Sequence, residues 1–103
     1  MKKLGNYIAG RWVEGEGVGQ TLYDAASGRA LYQAGSRGID FQEMLDYGRN
    51  TGNPALRKMS FHERGRMLKA LALHLQGHLE KFYAISYQTG ATRADSRIDI
   101  EGG

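Results

Sequence analysis

Apolar residues are spaced in two ways along this chain. Before Ile39 they come in short pairs between glycines, and after Asp40 they recur every three or four positions. Tyr7-Ile8 and Trp12-Val13 flank Ala9-Gly10-Arg11, which predicts two short strands around a tight turn. Gly15-Glu16-Gly17-Val18-Gly19 reads as a flexible connection. Thr21-Leu22-Tyr23 and Ala30-Leu31-Tyr32 then bracket the turn Asp24-Ala25-Ala26-Ser27-Gly28, predicting a second hairpin. Asp40, with Glu43 three residues on and Ile39 placed to staple onto Met44, predicts a helix over 41–47. Asn53-Pro54 reads as a capping asparagine followed by a proline at the first helical position, opening a short turn through Lys58.

The strongest helical signal follows. Ser60 is spaced from Glu63 as in a capping box, and Phe61, Leu68, Leu71, Ala72, Leu75 and Leu79 form one stripe. On that phase Leu71 and Leu75 are expected on a buried face, where truncation to alanine costs ~2–5 kcal/mol. Leu73 lies across the helix, beside Arg66 and Lys69. Leu79, Phe82, Tyr83 and Ser86 continue the pattern in a further helix, with Gly77 as the break before it and Gly90 as its stop. The last stretch, Ile98 to Gly103, carries no capping signal and reads as a cut end. The expected organisation is a hairpin region over 1–37 and a helical region over 38–103.

Composition narrows the classes. With 103 residues, 41% of them apolar, the chain is one domain at most, able to bury roughly 60–65% of its unfolded surface. Fourteen Lys and Arg against 11 Asp and Glu give a formal charge of +3, far from the single-sign field of a nucleic-acid-wrapping protein. The absence of cysteine removes disulfides, thiolate metal sites and thiol nucleophiles together, and suits a reducing compartment. The longest apolar run, Ala70-Leu71-Ala72-Leu73, ends at His74, well short of the 18 or so residues a membrane span needs. Met1-Lys2-Lys3-Leu4 leads into no apolar signal core, so a soluble, cytoplasmic chain without a membrane partner is expected.

The candidate chemistry reduces to ordinary structure. Gly15-x-Gly17-x-Gly19 invites a dinucleotide-loop reading, but Gln20 stands where the third glycine of that fingerprint belongs and a strand follows rather than a helix. His74 and His78 are four apart. Leu75 occupies the place of a zinc protease's glutamate, Gly77 loosens the helix between them and no third ligand is evident, so no metal site is assigned. His62 is read as exposed in a first turn. Arg57, Lys58, Arg64, Arg66 and Lys69, with Tyr83 and Tyr87, could be drawn as a single-strand surface, yet Asp46, Glu63 and Glu80 dilute the field, and no nucleic-acid partner is expected. Arg64 falls within the apolar stripe and is expected to reach a carboxylate or a carbonyl end. Asp95, Asp99 and Glu101 lack any neighbouring nucleophile, metal set or phosphate loop and are read as solvated or ion-paired.

The order of elements nevertheless resembles a known family. Tyr7-Ile8-Ala9-Gly10-Arg11-Trp12-Val13 looks like the opening hairpin of the aldehyde dehydrogenase superfamily, and Asp24-Ala25-Ala26-Ser27-Gly28 resembles its Asn-Pro-Ala-Thr-Gly turn. Arg57 to Leu68 resembles its Trp-x-x-x-Ser-x-x-Glu-Arg-x-x-x-Leu helix start. Ala84 to Ser96, with Asp99 to Gly103, is similar to the phenylacetate-degradation branch, whose bifunctional ring-opening enzymes join an aldehyde dehydrogenase module to a hydratase module. Gln88-Thr89-Gly90-Ala91 replaces the wider family's Glu-Thr-Gly-Lys.

The resemblance implies an α/β parent protein, with this chain as an N-terminal piece of short antiparallel β-hairpins followed by roughly three to four α-helices from a truncated dinucleotide-binding domain. It implies a parent that oxidises a semialdehyde with NADP or NAD as acceptor, and a piece that binds neither. The family's catalytic cysteine, water-activating glutamate, oxyanion asparagine and dinucleotide contacts all lie downstream, so no catalytic, cofactor or metal residue is carried over. The partners implied are the remainder of the same chain and further copies in a homo-oligomer. A stand-alone helical oligomerisation or interaction module is the alternative.

Overall fold

Five short strands precede five helices in the computed structural model, which describes every residue from Met1 to Gly103. The strands are β1 (Lys2–Lys3), β2 (Asn6–Ile8), β3 (Arg11–Val13), β4 (Gln20–Tyr23) and β5 (Ala30–Ala34). The helices are α1 (Phe41–Tyr47), α2 (Asn53–Lys58), α3 (Phe61–Gln76), α4 (Leu79–Gln88) and α5 (Arg93–Glu101), with a π turn, Gly48–Gly52, joining α1 to α2. The change from strands to helices falls between Ala34 and Phe41. The chain forms two compact units, one of Met1–Leu22 with Ala30–Phe61, the other of Tyr23–Arg29 with His62–Gly103.

In the first unit, β2 and β3 pair antiparallel, with Tyr7 opposite Trp12 and Ile8 opposite Arg11. The turn between them is the tight one the sequence predicts. Ala9 (φ +49°) and Gly10 (φ +80°) both take the left-handed conformation, whose twist matches that of the flanking strands. The Tyr7 and Trp12 rings meet edge to face at 5.2 Å. Ile8 is the one large apolar side chain buried in this unit. The Asn6 side-chain amide donates to the Val13 and Gly35 carbonyls, tying the hairpin to the end of β5.

The other strands form a sheet in the order β1-β5-β4. The β4–β5 neighbours are the expected second hairpin. A purely hairpin-built region is corrected by β1, which pairs parallel to β5 with Lys2 opposite Tyr32 and Lys3 opposite Gln33. Two consecutive lysines carry no alternation of apolar and polar residues, so only backbone pairing reveals this strand.

Helix α1 starts as its capping spacing predicts, with the Asp40 carboxylate accepting from the Glu43 amide at 3.1 Å. The expected Asn53 cap does not form. Asn53 is helical, and its amide donates to the Gly48 carbonyl five residues back. Pro54 lacks an amide and crowds the carbonyl four residues before it, and a widened turn accommodates the ring without ending the helix. Residues 41–58 therefore run as one helical body. With α3, α4 and α5 there are four such bodies, the upper figure the sequence suggested but composed differently, because α5 was not foreseen.

In the second unit, α3 ends before Gly77, as expected, and α4 closes at Thr89 and Gly90. The turn at Asp24 is held by its carboxylate, which accepts from the Ala26 and Ser27 amides. The Ala25 amide donates to the Gln88 carbonyl, fastening this turn to the end of α4. Thr92 caps α5 by accepting from the Asp95 amide at 3.2 Å.

The expected burial of Leu71 and Leu75 is not met within this chain: they are 53% and 43% exposed, and α3 has no buried residue. Amphipathic spacing marks a face that is apolar without supplying what covers it.

Two outcomes follow for the chain as it stands. Ala9→Asn should stabilise it by about 1 kcal/mol in urea melts, since asparagine tolerates the left-handed turn position better than alanine. Ile8→Ala should cost ~2–5 kcal/mol while Leu71→Ala costs under about 1 kcal/mol, and equal losses would contradict this assignment of the buried positions.

Candidate functional site

The glycine-rich loop is a packing device. Gly15 is buried against the Gly35 carbonyl, and a Cβ on Gly19 (φ +71°) would collide with the Ala34 carbonyl. The loop's Gly17 carbonyl accepts from the Lys3 ammonium at 2.8 Å, and β4 begins directly after Gly19. A phosphate cradle needs converging amides at the start of a helix, and this loop presents neither.

Arg57 and Lys58 end α2 in the first unit, whereas Arg64, Arg66 and Lys69 lie on α3 in the second, all exposed. Arg64 reaches no carboxylate or carbonyl, contrary to the expectation from its place in the stripe. A fully exposed guanidinium gains little from a single surface partner and stays hydrated.

His74 and His78 come together across the break at Gly77. Their ring centroids are 4.8 Å apart and the planes are tilted by 59°. Gly77 does not separate them, because its amide still reaches the Leu73 and His74 carbonyls and the His78 amide reaches that of Leu75, which keeps the turn closed. No group of three or more His, Asp, Glu or Cys side chains converges anywhere in the chain.

The densest polar cluster joins α4 to α5 around Tyr83, which is buried. Its hydroxyl donates to the Glu101 carboxylate at 2.6 Å, and the Arg93 guanidinium lies 4.9 Å above its ring. Arg93 also donates to the Tyr87 hydroxyl and lies 3.6 Å from Glu80. Ser96 is fully buried, donating to the Thr92 carbonyl and sharing a hydrogen bond with the Ser86 hydroxyl. Of the three acids singled out in the sequence, Glu101 is thus ion-paired, 3.6 Å from Arg97, and bonded to Tyr83. Asp95 and Asp99 are exposed on the outer face of α5.

The bond to Glu101, and then burial, raise the Tyr83 phenol above its usual range. The contribution of this bond to folding is therefore present below about pH 10 and is lost as the phenol ionises at higher pH. The bond to Tyr87, followed by the attraction of Tyr87 and Glu80, raises Arg93 further. The Ser27 amide chiefly, with the Ala26 amide, holds the Asp24 carboxyl below its usual range. These shifts mark structural fastenings: each follows from a hydrogen bond that closes a turn or joins side chains of α4 and α5. The signal for this cluster was present in the Thr92-x-x-Asp95 spacing, which announces α5 and hence a surface for Tyr83 to pack against.

Beside the cluster, Ala72, Leu75, Leu79, Phe82, Ile100 and Glu101 line an open groove of about 390 Å³. Its walls are mainly apolar, with Gln76 and Glu101 among them, and it continues the exposed stripe of α3. Such a surface buries apolar groups and does no bond chemistry.

No protein-family model matches the chain. It is 39% identical over 101 residues to a 3,4-dehydroadipyl-CoA semialdehyde dehydrogenase of Aromatoleum evansii. The match takes in 97% of this chain and 20% of that enzyme, so the chain spans about a fifth of the relative's length. The Tyr7–Val13 hairpin, the Asp24 turn and the α3 start that carried the resemblance all lie within a similarity of this extent, and the chain is similar along nearly its whole length to one part of that semialdehyde dehydrogenase.

Proposed function

We propose that this chain is a scaffold segment of an NAD(P)-dependent aldehyde dehydrogenase that oxidises a semialdehyde in aromatic-compound degradation, with phenylacetate breakdown as the setting. The carrying observation is the 39% identity along 97% of the chain to a semialdehyde dehydrogenase five times its length. Aldehyde oxidation through a thiohemiacetal needs a thiolate nucleophile, and these residues include no cysteine. The nucleophile, the cofactor contacts and the choice between NAD and NADP therefore belong to other parts of the polypeptide. No helix is long and apolar enough to cross a membrane, and the reading includes a cytoplasmic location.

The role of this segment is to supply surface. The stripe of α3 and the groove beside Phe82 are covered by the remainder of the same polypeptide, and a homo-oligomer completes the assembly. The exposure of Leu71 and Leu75 and the open groove beside them support this cover. A free-standing oligomerisation module would use the same apolar face, and the two readings differ in what sits upon it.

The whole polypeptide should reduce NAD or NADP when given a semialdehyde of a ring-opened coenzyme A thioester. The 103-residue chain should show no turnover and no micromolar dinucleotide binding by calorimetry, and binding of that strength would overturn the scaffold assignment. Leu71→Ala should cost ~2–5 kcal/mol in the whole polypeptide, in contrast to its small cost in the isolated chain. A whole polypeptide as tolerant of that change as the isolated chain would show that nothing covers α3. Sedimentation of the isolated chain at tens of micromolar should reveal self-association through the same face, and a single monomeric species would count against the free-standing module.

A further inference from the structure

The meeting of His74 and His78 is more than the sequence led us to expect, and it concerns a part of the surface that the dehydrogenase reading does not use. The two residues close the elbow between α3 and α4: His74 lies in the last turn of α3, and His78 is the N-cap residue of α4. The His78 side chain makes no cap hydrogen bond. The two imidazoles face each other, with ring centroids 4.8 Å apart. Both side chains are exposed. The imidazole pair is therefore within reach of a solute.

The spacing suits chelation. Two metal–nitrogen bonds of about 2.0–2.1 Å meeting at roughly 90–110° hold their nitrogens about 3 Å apart. A ring nitrogen lies about 1.1 Å from its centroid, so rings with centroids 4.8 Å apart can each present one nitrogen at that separation. The 59° tilt between the planes favours this as well, since coplanar stacked rings would direct their lone pairs alongside rather than toward a common point. Imidazole pairs select borderline divalent ions, with affinity rising toward Cu²⁺, and reject Mg²⁺ and Ca²⁺, which require oxygen donors.

We infer that His74 and His78 form a bidentate site for a borderline divalent transition-metal ion, Cu²⁺ before Ni²⁺ or Zn²⁺, with water completing the coordination. The bound ion bridges the last turn of α3 and the first residue of α4, and so locks the elbow at Gly77. The effect is on the set of the two helices that carry the apolar stripe. No bond chemistry is involved, and the site stands whether or not the parent is a dehydrogenase.

The test uses the whole polypeptide the gene encodes and Cu²⁺ alone, titrated by calorimetry into wild type, His74→Gln, His78→Gln and the double variant. Wild type should take up one more equivalent than the double variant, and each single variant should bind that equivalent roughly 10²-fold more weakly, because either change removes the chelate. The double variant, which keeps neither imidazole, should lose that equivalent altogether. Electron paramagnetic resonance of the added equivalent should show two equatorial imidazole nitrogens. Equal stoichiometry in wild type and double variant overturns the inference, as does a spectrum with one nitrogen. His62→Gln should leave this equivalent unchanged, and its loss there would move the site elsewhere. Both positions are exposed, so the variants should keep the wild-type helical circular dichroism.

Discussion

Ile8 and Tyr83 are the two apolar side chains that the chain buries, and this shortage of interior governs how everything else is held. Apolar burial yields roughly 25 cal/mol per Å², so elements that leave their apolar faces in water draw little from it. Local hydrogen bonds at the ends of elements carry the load instead. Asp40 and Thr92 cap helices, Asp24 closes its turn with two backbone amides, and Asn6 ties a hairpin to the neighbouring sheet. Each of these devices is satisfied within a few residues or by one adjacent strand. Together they define the elements without making a core.

The one tertiary junction of some density, between α4 and α5, is polar to the same degree. Tyr83 fills its centre, but Glu101 holds the ring by its hydroxyl, Arg93 covers its face, and Ser86 and Ser96 meet across the helices. Small hydroxyl-bearing residues at this crossing let the helices approach closely. No buried side-chain polar atom is left without a partner, which is the condition under which such a junction stabilises rather than strains. The groove beside it remains open, and its apolar walls extend the stripe of α3.

The sequence by itself determined the elements whose stabilising groups are close in the chain. The Ala9-Gly10 turn, the Asp40 cap, the Gly77 break and the Asp24 turn were all legible because donor and acceptor, or the residue that needs a special φ, lie within a few positions of each other. The likeness to a semialdehyde dehydrogenase was legible for a similar reason, since the hairpin and helix-start motifs are contiguous strings. What only the tertiary structure decided depends on distant partners. The parallel pairing of β1 with β5 rests on backbone bonds some thirty residues apart in sequence, which two lysines cannot advertise. The continuous helix through Pro54 rests on a π turn that a capping rule does not anticipate. The Tyr83–Glu101 bond spans two helices, and the His74–His78 approach depends on how tightly one glycine closes a turn. The exposure of Leu71 and Leu75 shows the limit most plainly: periodicity encodes which face of a helix is apolar, but burial is a property of whatever packs against that face, and this chain alone does not provide it.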